Sequence, residues 1–297
     1  MESRSQRGIQ RERLAAGPQG SQAREELDPS RKPGAASWLD TSGSKQPLVI
    51  AGTAEPGVHL KGDLNAFNRG SRALFGAELS PGAVGELVGA PPNALIHVRW
   101  DADVYKPRID VEHPLFTRWQ GSKGMSFTFQ QHERDGNIAL EPLWLGIPKE
   151  APPGTGTWVF SRMVEGARGL DRKLREADAP ARLTALRLEA SGPELGHNGY
   201  YTWARLGADG PFWTDEELPP KLAKARMLSD LMMAPGGAEW WRKHGEGVLL
   251  TFDLDPRSRS SRVLDDYARA RSDLIPAVER YVRKVSEYGP GVFGGIR

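Results

Sequence analysis

Apolar and polar residues follow a regular period from residue 46 onward and none before it. The run 47–51 is short and apolar and predicts a strand. Leu64, Phe67, Leu74 and Phe75 fall on one side of a helix over 63–75, with Asp63 placed as its N-cap. A second short helix is expected over 80–88, capped by Ser80 with Pro81 in its first turn. The period then shortens to two. Residues 94–100 alternate as a half-buried strand does, 108–111 do so more briefly, and Met125, Phe127 and Phe129 share one side of 125–131. Asp135-Gly136-Asn137 marks a turn before a strand over 138–147, so this stretch reads as an antiparallel hairpin.

Past a Pro- and Gly-rich loop at 148–156 the helical period returns. Val159, Phe160, Met163, Val164, Ala167, Leu170 and Leu174 define a helix over 157–175. A strand over 182–190 follows, then a short helix over 200–206 stopped by Gly207. Helices are expected over 218–233 and 238–244 and a strand over 248–254. The last helix, 261–287, is capped by Ser260 or Ser261 and split or kinked at Pro276, and 289–297 reads as loose. Strands and helices together make an α/β (α+β) chain, with one domain over 46–297 and a helical extension from about residue 211. The tryptophans Trp213, Trp240 and Trp241 are expected to pack that extension onto the core.

Composition changes this picture at one end. Residues 1–45 are rich in Arg, Gln, Glu, Ser and Gly, and too poor in apolar side chains to offset the entropy of ordering, so a disordered tail is expected. With no cysteine, disulfides, thiolate metal sites and cysteine nucleophiles are excluded. A formal net charge of +2 gives no bulk argument for a nucleic-acid partner. No apolar run approaches the roughly 20 residues of a bilayer span, and the Met-Glu-Ser-Arg start reads as no secretory signal. No membrane partner is expected, and the cytoplasm is the expected compartment. Histidines are scattered without metal-ligand spacing, so no metal is expected.

The stretch that carries chemistry runs from the strand at 138–147 through Ala151-Pro152-Pro153-Gly154-Thr155-Gly156-Thr157 into a helix. A glycine-rich turn ahead of a helix leaves backbone N–H groups without acceptors, and the helix dipole adds partial positive charge there. Such a turn suits a pyrophosphate. Gly-Lys-Ser/Thr is missing, which excludes a P-loop, and a third glycine at dinucleotide spacing is missing too.

The strand, Gly154-x-Gly156, then Val159-Phe160 opening a helix, resembles the acyl-CoA loop of the GNAT-type N-acetyltransferases. The strand at 182–190 and Asn198-Gly199-Tyr200-Tyr201-Thr202-Trp203-Ala204-Arg205-Leu206-Gly207 follow in that family's order. The likeness covers roughly residues 94–210, with the helix at 63–75 as the first helix. It implies a mixed, mostly antiparallel sheet flanked by helices and splayed in a V, with acetyl-CoA in the gap. On that resemblance, Gly154, Thr155, Gly156 and Thr157 hold the pyrophosphate, and Leu145, Ile147 and Asn198 also contact the cofactor. The amine of an unknown substrate attacks the thioester, Tyr200 or Tyr201 protonates the leaving thiolate, and Glu141 is the candidate base, with His97, His132 and His197 as alternatives. The sequence departs from the family at Ala151, where Arg or Gln is usual, and at Trp203, where a tyrosine is frequent. These departures leave a second reading open: a non-catalytic module of the same fold that binds or assembles, for instance in a phage or mobile element.

Overall fold

The structure, a computed structural model, describes residues 48–53, 55–101, 106–117, 124–131, 136–192, 199–214 and 216–288. The expectations for residues 1–45, Pro47, His132, Asp135, His197, Asn198 and 289–297 lie outside these residues.

Helices start where the sequence supplies caps. The Asp63 carboxylate accepts from the Ala66 amide at 2.8 Å and opens α1 (Leu64–Phe75), which Gly76 ends in the left-handed region. Ser80 accepts from Ala83 at 3.1 Å and opens α2 (Pro81–Leu87). The strands in chain order are β1 (Val49–Ile50), β2 (His59–Gly62), β3 (Glu78–Leu79), β4 (Leu95–Asp101), β5 (Lys106–Glu112), β6 (Met125–Gln131), β7 (Ile138–Trp144), β8 (Leu183–Ala190) and β9 (Val248–Asp253). The remaining helices are α3 (Thr155–Glu176), α4 (Gly199–Arg205), α5 (Leu228–Met233), α6 (Gly237–His244), α7 (Arg259–Arg269) and α8 (Ile275–Ser286).

Seven strands form one sheet in the order β2-β4-β5-β6-β7-β8-β9, and β1 and β3 form a small parallel pair. Neighbours from β4 to β7 are antiparallel, as are β8 and β9, while β2–β4 and β7–β8 are parallel. The chain is therefore mixed α/β, with a mostly antiparallel sheet flanked by helices. Phe67 and Phe75 from α1, Phe127 and Phe129 from β6 and Phe160 from α3 are fully buried, with Phe75 meeting Phe129 edge-on at 5.3 Å.

Three expectations need correction. The helix expected over 218–233 forms only as α5, because Pro219 and Pro220 restrict the stretch before it and Met227 is held in a bridge to Pro211. The helix expected over 261–287 is split as Pro276 implies, but it starts at Arg259 and breaks before the proline: a short 3-10 turn (Ser272–Leu274) separates two helices, and Pro276 sits in the first turn of α8. The N-cap of α7 is Ser258, whose hydroxyl accepts from the Ser261 amide at 3.1 Å; Ser261 is buried one turn further on.

A buried histidine fastens α8 to the sheet. The Leu115 amide donates to His113 Nδ1 at 3.0 Å, so in the neutral ring Nε2 carries the proton. Nε2 donates to Ser286 Oγ at 3.0 Å, and Ser286 donates in turn to the Val282 carbonyl at 2.7 Å. Burial pushes the His113 pKa down from 6.5 to about 4, opposed in part by a bond to the Pro92 carbonyl. In the unfolded chain the same ring takes up a proton near pH 6.5. The stability tied to the neutral ring is therefore complete above pH 6.5 and is lost as pH falls toward 4. The loss is roughly 3 kcal/mol, at about 1.4 kcal/mol per pKa unit. Urea unfolding at pH 7, 5.5 and 4.5 should show a shallower decline for His113→Asn, which keeps an acceptor near Leu115, than for wild type; parallel declines would contradict this origin.

Candidate functional site

The parallel pair β7–β8 builds the site because it is incomplete. Ile138 pairs with Leu183, Ala139 with Ala185 and Leu140 with Leu186, and pairing ends there. β7 continues to Trp144 beside β6, and β8 continues to Ala190 beside β9. The sheet therefore opens at the C-terminal ends of these two strands. A β-bulge accompanies the opening, since Pro142 and Trp144 oppose the consecutive residues Phe127 and Ser126, which leaves Leu143 as the extra residue.

The opening is a cleft of about 580 Å³. Residues 142–147 form one wall, Glu189 and Ser191 the other, and Gly199, Thr202 and Trp203 of α4 close one side. Gly156 and Lys149 bring the start of α3 to it. The β7 wall is anchored from behind, where the Gly146 carbonyl accepts from the Thr117 amide at 3.0 Å and the Trp144 indole donates to the Thr117 carbonyl at 3.4 Å.

The two glycines of the loop have separate tasks. Gly154 is the N-cap of α3 with φ 91°, a conformation that a side chain resists, and an added Cβ would stand 3.2 Å from Leu274. Gly156 lies inside the first turn, and a Cβ there would meet nothing within 4 Å. The Thr155 amide bonds to the Pro152 carbonyl at 3.2 Å and the Trp158 amide to Gly154 at 2.9 Å. Among the described residues no backbone acceptor takes the amides of Gly156 and Thr157. The positive end of a 22-residue helix thus meets an open cleft at Gly156, with the Thr157 amide next to it along the chain.

No protein-family model, curated protein or solved structure matches this chain. The site therefore rests on its own geometry.

Of the residues singled out in the sequence, Leu145, Ile147 and Gly156 line the cleft together. Thr155 and Thr157 are buried in the first turn of α3, and the Thr155 hydroxyl donates to the Pro152 carbonyl at 2.7 Å. Glu141 sits on β7 opposite Thr128, one residue before the lining segment. Tyr200 points away: its hydroxyl donates to the Arg242 carbonyl at 2.8 Å, and its ring packs against Trp241. Tyr201 lies under the Arg205 guanidinium on the opposite side of α4. Neither tyrosine is among the described residues that line the cleft, and Trp203 is. Its indole packs 5.2 Å from Phe160. His97 bonds to Glu112 at 3.3 Å on β4 and β5.

Glu189 and Ser191 are marked by no motif, and Thr202 stands in the sequence only within the 198–207 stretch; Lys149, two residues before Ala151, joins them in the lining. Among the described residues there is no cluster of three or more His, Asp or Glu that could hold a metal ion, and no helix is long and apolar enough to cross a membrane.

Proposed function

We propose that the chain binds an acyl-CoA thioester in the cleft between β7 and β8 and transfers the acyl group to an amine. The observation that carries this reading is the coincidence of three features at one place: strands that part after Leu140 and Leu186, the start of α3 at Gly156 with amides that no backbone acceptor takes among the described residues, and the mostly apolar β7 wall. A pyrophosphate at those amides gains charge-assisted hydrogen bonds, and Lys149 adds a cation from the same side. The pantetheine arm then runs along residues 142–147 as a further strand would, because the edge of β7 there has lost β8 as its partner. A backbone N–H near Leu145 holds the thioester oxygen. The amine nitrogen attacks the carbonyl carbon, the C–N bond forms, the C–S bond breaks, and the amine proton ends on the departing sulfur. The fold order that resembles the GNAT-type N-acetyltransferases supports the same reading, and cytoplasmic residence belongs to it.

One observation favours a second reading, binding without transfer. The described lining residues include no phenol, since Tyr200 is engaged at Arg242 and Tyr201 is turned away, and an indole N–H cannot protonate a thiolate at neutral pH. Calorimetric titration of acetyl-CoA into the full chain tests what the two readings share: saturable one-to-one binding is expected, and no heat at millimolar acetyl-CoA would overturn both. Release of CoA thiol in the presence of a panel of primary amines then separates transfer from binding alone.

A further inference from the structure

A second hollow lies on the other side of α4. Residues Gly199, Thr202 and Trp203 face the cleft, whereas Tyr201, Ala204 and Arg205 face a separate cavity of about 350 Å³ bounded by α5 and α7. Its walls are unusual in charge. Arg205 lies 5.0 Å from the ring centres of both Tyr201 and Tyr267, so two aromatic faces hold the guanidinium, and it also donates to the Tyr267 hydroxyl. Arg271 stacks on Tyr267 at 3.7 Å. Neither Arg205 nor Arg271 has a carboxylate partner among the described residues, whereas Arg259, at the same rim, is paired with Asp230 at 3.2 Å. The one carboxylate in the walls, Asp209, is consumed internally: it accepts from the Gly210 and Ser229 amides, each at 2.9 Å, and from the Ser229 hydroxyl at 2.6 Å.

The rest of the lining is apolar and adaptable. Met232, Met233 and Val263 supply it, and Met233 is 71% exposed, an uncommon position for so large an apolar side chain. Cation–π stacking holds Arg205 at the wall of the hollow. Two guanidiniums stacked on aromatic rings, neither ion-paired with a carboxylate among the described residues, stand beside flexible thioether walls and make a receptor suited to an anion. The volume lies within the range of small-molecule pockets.

The geometry points to a binding site here for a small molecule with a compact apolar or aromatic body and one carboxylate or phosphate. The anionic group bonds to Arg205 and Arg271, and the body lies on Met232, Met233 and Val263. This assignment does not rest on the thioester reading, because the two sites share only the backbone of α4.

Naphthoate is the probe, with naphthamide as its neutral match, titrated calorimetrically into the full chain. Expected are saturable one-to-one binding of naphthoate and binding of naphthamide at least about tenfold weaker, the share of one charge-assisted bond. Arg271→Gln should weaken naphthoate by about tenfold. Val263→Trp, which fills the hollow, should abolish binding while the melting transition stays in place. If Val263→Trp fails to fold, Arg205→Gln replaces it with the same expected loss. No saturable binding, equal binding of the amide, or binding unchanged in these variants would overturn the assignment.

Discussion

Gly166→Val is expected to destabilise the protein by about 3 kcal/mol or more, although valine is the better helix former. Gly166 lies where α3 crosses α2, and a Cβ there would stand 1.9 Å from the Glu86 carbonyl oxygen and 2.9 Å from that of Leu87. The helices cannot simply separate. The Glu86 carbonyl accepts from the Gly89 amide at 3.0 Å, the Glu86 carboxylate is paired with Lys173 at 2.6 Å, and Gly89 itself has φ 58° with Arg162 and Met163 close by. Gly156→Ala, in the same helix, has open space around its new methyl and is expected to gain up to about 1 kcal/mol. Thermal unfolding of the two variants checks this contrast; equal shifts would contradict it.

Trp241→Ala is expected to cost about 3–5 kcal/mol. Trp241 on α6 is fully buried, and its ring meets Tyr200 at 6.2 Å and Phe212 at 5.5 Å. Its indole N–H donates to the Tyr200 carbonyl at 3.0 Å, so Trp241→Phe, which keeps most of the apolar volume, still loses a buried hydrogen bond and should cost about 1–3 kcal/mol. Both changes act on α4, the helix that places Trp203 in the cleft. Urea titrations of the three proteins give the two differences. A Trp241→Phe cost equal to that of Trp241→Ala would mean that the hydrogen bond outweighs the packing.

Much of this fold was legible because the local signals agree with the tertiary ones. Asp63, Ser80 and Gly76 cap where a short polar or glycine residue meets an apolar period, and β6 forms over the residues its alternation marks. What period two cannot show is a polar face that is also buried. Ser126 and Thr128 alternate with the apolar side of β6, yet both are buried, Ser126 donating to Asp110 and Thr128 to the Pro107 carbonyl at 3.1 Å. Asp110 also accepts from Arg108 Nε at 3.1 Å, so the polar groups of this buried face bond to one another. Apolar spacing alone marks a helix over 218–233, but the Pro219-Pro220 pair restricts the backbone and the helix forms only over Leu228–Met233.

The candidate site was half legible. A Gly-x-Gly ahead of a helix locates free amides, and it does so for Gly156. It does not reveal that Gly154 is used for its positive φ and its packing against Leu274. Which side of α4 each tyrosine faces depends on contacts with α6 and α7, far along the chain, and no local pattern near Tyr200 or Tyr201 encodes them. The same long-range packing makes the arginine-lined hollow, whose residues come from α4, α5, α6 and α7 and from the segments that follow α4 and α7.

The measurement that bears most directly on the cleft is acetyl-CoA binding to Gly156→Glu beside wild type, read by calorimetry with a melting curve for each protein. The added side chain has open space, and a carboxylate in the first turn of a helix interacts favourably with its dipole, so the variant should melt at or slightly above the wild-type temperature. Its charge occupies the place proposed for the pyrophosphate. Binding to wild type that Gly156→Glu loses, with folding intact, is the expected result; a variant that binds acetyl-CoA as tightly as wild type would contradict the site.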